Sequence, residues 1–178
     1  MKVVTEVPYP TSWTFELDQR ATHMSLISAD DFADLVFATP DSVDEVVSTI
    51  VRTRATPADV ADILSLAHKL LRTSVVHYEF AALAVEKSLQ ALERALRLRL
   101  GIDRGLTFEK LIDRAADQGL LSGEDEELMD AGRQLRNVFA HPATAPALPL
   151  VMVTSMLQTS YRLIGVLFPD PDEFPAHN

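Results

Sequence analysis

The chain of 178 residues contains no cysteine. This absence excludes disulfide bonds, thiolate metal sites and thiol nucleophiles. It is also typical of proteins that work in a reducing compartment, so we expect a cytoplasmic protein.

Glycine is scarce as well, with six residues in the chain. Gly119 and Gly123 are predicted to punctuate helices, and no glycine-rich loop that could cradle phosphates is present. The serines lack the G-x-S-x-G context of acyl-transfer enzymes. Since His68 and His77 have no carboxylate at zinc-site spacing, we interpret them as core or surface residues and expect neither a metal nor a cofactor.

Long apolar runs are missing too. The longest candidate, residues 147–168, is interrupted by Pro149, Thr154, Gln158 and Arg162, which predicts a buried amphipathic helix. Residues 1–10 lack the apolar core of a secretory signal. We therefore expect no membrane association.

Basic residues are fewer than acidic ones: the chain has 16 Lys and Arg and 26 Asp and Glu, which gives a net charge of −10. Such a balance argues against a protein that coats nucleic acid non-specifically. The charge is uneven, with 2 basic and 9 acidic residues in 1–50 but 10 basic and 7 acidic in 51–110. The second region holds a cluster that is either a basic stripe or a solvated helix face. Its members are Arg94, Arg97, Arg99 and Arg104.

Residues 1–55 are predicted to form an N-terminal arm or small extension. Apolar and polar residues alternate over 13–18, which is typical of a short half-buried strand, and a second strand is expected at 24–27. Asp41 is predicted as the N-cap of a helix whose apolar positions continue to Val51.

Residues 56–170 give stronger, helical signals, followed by a tail at 171–178. Thr56 is predicted as an N-cap before Pro57. No Pro or Gly interrupts 58–100, so this stretch is one long helix or two helices that meet near 73–76. Further helices are expected from Thr107 to about Gln118, from Ser122 onward to Pro142, and over 148–167.

These short connections predict a mainly α fold, an antiparallel helical bundle. We expect the following residues in its core: Leu83, Leu89, Leu92, Leu96, Leu111, Ile112, Leu128, Leu135 and Leu157.

One short motif carries chemistry. Arg136 and His141 lie five residues apart, with Asn137 directly after the arginine. The pattern Arg-x4-His at the end of a helix in an all-helical chain resembles the signature of HEPN domains. A long preceding helix with Glu86 and Glu93 adds to the resemblance, which covers roughly residues 56–170.

The resemblance implies a metal-independent endoribonuclease in bacterial defence, toxin or stress response. HEPN nucleases are typically dimers with both motifs at the interface, so the implied partners are a second copy, an RNA substrate and a protein partner or antitoxin. By motif position, His141 would be the acid or base, Arg136 the phosphate clamp and Asn137 an orienting hydrogen-bond partner. A side chain that titrates near neutral pH and a permanent planar cation suit these roles. Some toxin members carry a Tyr two residues after the His; Ala143 stands there, so regulation through such a Tyr is not expected.

Helix geometry sets a condition on this site. Residues five apart are separated by about 140° around a helix axis, whereas Asn137 and His141 share a face. Arg136 and His141 therefore converge only if the helix ends or bends near Ala140, or if two chains pair.

Other interpretations stay open. The motif can be structural, with Arg136 and Asn137 bonding helix-end carbonyls and His141 capping the last turn. The chain can also be a catalytically inactive HEPN-like dimeric interaction or RNA-binding module, which its acidic balance favours. A helical receptor with a small-ligand pocket between helices is a third, more remote reading.

Overall fold

The computed structural model describes residue 18, residues 40–139 and residues 149–171, with the backbone alone at residue 40 and residues 136–139. Helices make up 74% of this part of the chain and no strand occurs in it, so the mainly α class is confirmed. The predicted strands at 13–18 and 24–27 lie outside the described residues, Asp18 excepted. The six helices are α1 Pro40–Ser48, α2 Ala58–Thr73, α3 Glu79–Leu100, α4 Phe108–Asp117, α5 Gly123–Phe139 and α6 Leu150–Leu167.

The stretch without Pro or Gly is two helices, α2 and α3, and not one. The helical chain breaks after Thr73, where the hydroxyl of buried Ser74 donates to the carbonyl of Leu71 at 2.7 Å. Such side-chain hydrogen bonds compete with the helical ladder, and the following Val75 and Val76 have low helix propensity. The break lets α2 and α3 pack against each other as neighbours.

Helix ends were predicted well where the signal is local. Gly101 adopts the left-handed conformation, φ 67°, immediately after α3. At the start of α4 the side chain of Thr107 accepts a hydrogen bond from the N–H of Lys110. At the start of α5 the side chain of Ser122 accepts one from the N–H of Asp125.

Three predicted helix starts were wrong by one or two residues. Asp41 lies inside α1, which begins at Pro40, and Val51 follows the helix with 79% of its surface exposed. Helix α2 begins at Ala58, so its N-cap position is Pro57 and not Thr56. The hydroxyl of Thr56 instead forms a hydrogen bond with the hydroxyl of Thr53 at 2.9 Å. The last helix begins at Leu150.

Helix α3 is the centre of the core. It packs most extensively against α2 and α6 and also touches α4 and α5. Leu89, Leu92, Leu96, Leu111, Ile112 and Leu157 are buried as predicted.

The predicted burial of Leu83 and Leu128 was wrong, because they are 40% and 37% exposed. Leu83 lies on a side of α3 that the helices packed against it leave uncovered. Leu128 borders a cavity described below, and Leu135 is half-buried at the same place.

Helix α6 packs against α3 through small polar contacts as well as apolar ones. Ser160 Oγ lies 3.1 Å from Ser88 Oγ of α3, and the hydroxyl of Tyr161 donates to the carbonyl of Leu64 in α2. By length and composition α6 could cross a membrane, with a mean hydropathy of 1.3, but half of it is buried within the protein. A core helix passes the same test, so this is weak evidence for a span.

Two long-range contacts tie the chain together. The N–H of Asp18 donates to Val75 O at 2.9 Å, and its carboxylate accepts the N–H of Tyr78 at 3.0 Å, just before α3 begins. Near the other end, Thr53 Oγ1 donates to Phe168 O and the N–H of Ala55 donates to Asp170. Residues 53–55 and 168–170 therefore form a clasp beside α6.

Candidate functional site

Two of the three motif residues lie on α5. Arg136 and Asn137 belong to this helix, which is described as far as Phe139, and their side chains are not described. His141 lies outside the described residues. The convergence of Arg136 and His141 therefore stays a prediction.

The first turn of α5 is fixed by a buried carboxylate. The carboxylate of Asp125 accepts hydrogen bonds from the backbone N–H of Ser122 at 3.3 Å and from its hydroxyl at 2.7 Å, while the N–H of Asp125 donates back to Ser122 Oγ at 3.2 Å. This reciprocal pair has the form of a capping box, with Asp in the third helical position. Arg162 of α6 donates to the other carboxylate oxygen at 2.9 Å. The first turn of α5 is thereby held to α6.

The surroundings of Asp125 affect its pKa. Burial alone would raise the pKa of the carboxyl, but the hydrogen bonds from Ser122 and Arg162 outweigh it and hold the pKa below its ordinary value. The carboxylate is therefore charged at neutral pH, as the ion pair requires.

The cation that precedes the motif is already paired. Arg133 donates to Asp130 at 2.6 Å and lies 3.9 Å from Glu109 of α4. The hydrogen bond from Arg133 is also the main reason that the pKa of Asp130 lies below its usual value. Arg133 thus adds little net positive charge beside Arg136.

The arginine cluster on α3 is also partly neutralised. Arg94 donates to Asp59 at 2.6 Å, and Arg97 donates to Glu93 at 2.7 Å and to the carbonyl of Leu106. Arg99 and Arg104 form no ion pair with the described residues. The cluster therefore does not form one solvated helix face: Arg97 is largely buried, Arg94 is ion-paired, and exposed positive charge remains at Arg99 and at Arg104 beyond the helix.

The chain matches no protein-family model, no curated protein and no solved structure. Arguments about function therefore depend on the motif and on the geometry of the described residues.

Two histidines outside the motif were predicted to be core or surface residues, and their positions agree with that. His68 packs edge-on against Tyr161, with ring centroids 6.5 Å apart. Burial, with a smaller contribution from nearby Arg72, lowers the pKa of His68. His77 is exposed and packs edge-on against Phe80. Within 18, 40–139 and 149–171, no three His, Asp or Glu side chains are grouped as a metal site would need.

A pocket between helices was one of the readings left open by the sequence, which did not locate it; a cavity lies between α3, α5 and α6. Its volume is about 160 Å³, and α5 contributes Leu128, Gly132 and Leu135 to its walls. These three residues have the spacing i, i+4, i+7 and so share one face of the helix. The sequence does show this periodicity, which led to the prediction that Leu128 and Leu135 lie in the core.

Proposed function

We propose that the chain is a HEPN-like antiparallel bundle that dimerises and cleaves RNA without a metal, in bacterial defence, toxin or stress response. The motif carries the proposal, because Arg136 and Asn137 lie on helix α5 and His141 follows Arg136 by five residues. A helix that continued past His141 would hold Arg136 and His141 about 140° apart.

The residue types suit a transesterification of RNA. His141 would take the proton of the 2′-hydroxyl as its oxygen bonds to phosphorus. The bond from phosphorus to the 5′ oxygen then breaks, and that oxygen receives a proton from the imidazolium or water. Arg136 would hold the non-bridging oxygens of the phosphate, on which charge develops. Asn137 would be a hydrogen-bond partner that orients the reacting groups.

A composite site in a homodimer would relax the geometric condition. One protomer's Arg136 could then face its partner's histidine motif across a shared cleft. Helix α5 touches α6 less extensively than α3 does, and Ala131 and Gln134 in its C-terminal half are exposed, which supports such a contact.

The second candidate is a catalytically inactive interaction or RNA-binding module. The ion pairs of Arg94, Arg97, Arg133 and Arg162 with carboxylates favour it, since they leave little positive surface for phosphates. The net charge of −10 points the same way.

The test compares RNA cleavage by wild type, His141→Ala and Arg136→Lys, in EDTA. Each variant should lose at least about a hundredfold in rate, since a proton-transfer group typically contributes about 10² to 10⁴. The matched controls are His77→Ala and Arg99→Lys, which remove an exposed histidine and alter an exposed arginine far from the motif in sequence.

Melting curves of the same proteins separate the two candidates. A catalytic His141 can be lost with little change in stability, whereas loss of a structural helix cap costs on the order of 1 kcal/mol. Wild-type protein that leaves RNA intact, with a less stable His141→Ala variant, would reject the enzyme and leave the interaction module.

A further inference from the structure

The cavity between α3, α5 and α6 is enclosed on three sides by helices. Leu89 belongs to its α3 wall, Leu128, Gly132 and Leu135 to its α5 wall, and Thr159 and Ser160 to its α6 wall. Leu128 lies at the exposed rim. No described residue that lines it carries a charge.

The gap is held open by the way in which α5 is seated. A Cβ placed on Gly132 would lie 2.9 Å from Leu89 Cδ2, so α5 already touches α3 at this point. Asp125 and Arg162 fix the first turn of α5 to α6. These two contacts hold α5 in place beside the cavity.

Three hydroxyls line the cavity, those of Ser155, Thr159 and Ser160, and the rest of the described lining is apolar. Ser160 Oγ, the most deeply buried hydroxyl in the wall, already lies 3.1 Å from Ser88 Oγ and 3.0 Å from Met156 O. An internal water needs two to four polar partners, whereas apolar cavities stay dry and take up apolar molecules. A volume of about 160 Å³ matches one six-membered ring, because an apolar cavity of about 150 Å³ binds benzene.

We propose that this cavity binds a small, neutral, apolar molecule of single-ring size. The absence of charge in the described wall selects against ionic ligands, since a buried unpaired charge is costly. Leu135 directly precedes Arg136, so a bound ring also stabilises the last turns of α5. The inference does not depend on RNA cleavage, because it concerns binding alone.

The probe is toluene, with benzoate as the matched charged ring. Binding is measured by calorimetry and by the rise in melting temperature, which follows ligand saturation when the folded state alone binds. Toluene should bind saturably and benzoate should not. Amide exchange over residues 132–137 should slow when toluene is added.

Two variants locate the site. Thr159→Phe places a ring in the cavity and should weaken toluene binding at least tenfold, while Gln158→Phe, at the adjacent exposed position, should keep wild-type affinity. If Thr159→Phe does not fold, Ser155→Leu at the exposed rim makes the same comparison.

Three outcomes would overturn the proposal. Wild type fails to bind toluene saturably, benzoate binds as tightly, or the filled variant keeps wild-type affinity. A wild-type dimer that Thr159→Phe dissociates, with no toluene binding, would assign the cavity to a second copy instead.

Discussion

Helices α3 and α5 begin and pack in different ways. Helix α3 has no side-chain cap from its own sequence neighbours, and the N–H of Tyr78, just before the helix, donates to Asp18, sixty residues earlier. Helix α5 carries its own cap in Ser122 and Asp125. Helix α3 then packs against four helices, whereas α5 contacts α4 and touches α3 and α6 beside a cavity.

The difference teaches where each helix gets its stability. Burial of apolar side chains stabilises α3, since nine of its residues, mostly Ala and Leu, are buried. The buried carboxylate of Asp125, through its hydrogen bonds to Ser122 and Arg162, stabilises the first turn of α5 and its contact with α6. Substitutions should therefore affect the two helices by different physical routes.

The largest effect is expected in α3. Leu92 is 1% exposed and lines the cavity, so Leu92→Ala should lower the free energy of unfolding by about 3 kcal/mol through lost burial and enlargement of that cavity. Urea unfolding monitored by circular dichroism measures the change. Leu83→Ala, on the uncovered side of the same helix, is the control and should cost about 0.5 kcal/mol or less. Equal effects of the two substitutions would contradict the packing described here.

The second effect tests the polar seating of α5. Asp125→Asn keeps the shape of the side chain but removes the charge that Arg162 pairs with, so we expect a loss of about 1.5 kcal/mol at pH 7. Asp130→Asn, in a surface pair with Arg133, should cost less.

The pH dependence of the Asp125 contribution has a definite sign. Its pKa is lower in the folded than in the unfolded state, so the stabilisation is fully present above the unfolded value, about 4. It is lost as the pH falls through the folded pKa. The unfolding free energies of wild type and Asp125→Asn should therefore converge in acid and separate above about pH 4. A difference that stays constant across this range would show that the charge is not the cause.

The smallest effect concerns the distant cap of α3. Asp18→Ala removes the acceptor for the N–H of Tyr78 and should cost about 1 kcal/mol, as for other helix caps. Thermal melts measure it, with Asp18→Asn as the conservative variant that retains an oxygen acceptor. If both variants melt like wild type, the contact adds no stability.

The sequence predicted the helix ends whose chemistry is local. Gly101, Thr107 and Ser122 act on backbone groups within a few residues, so their roles can be read from neighbouring letters. Asp18 could not be predicted in this way, because its partner Tyr78 becomes a neighbour only in the folded chain. The exposure of Leu83 likewise depends on which helices pack together.

Only the helical position of two candidate site residues is described. The sequence predicted Arg136 and Asn137 in a helix, and both belong to α5. Their convergence with His141 depends on a change of chain direction or on a second protomer, and residue spacing determines neither. The cavity was not located because the spacing of apolar residues along α5 is the same whether that helix face is fully packed or lines a cavity.

The clasp between residues 53–55 and 168–170 has a consequence for the segments on either side of it. Thr53 and Phe168 are joined at 2.8 Å although 115 positions separate them. The chain before Thr53 and the chain after Asp170 therefore start from nearly the same point. Helices α2 to α6 thus lie within one loop that the clasp closes, and separation of residues 53–55 from residues 168–170 would open that loop at both ends.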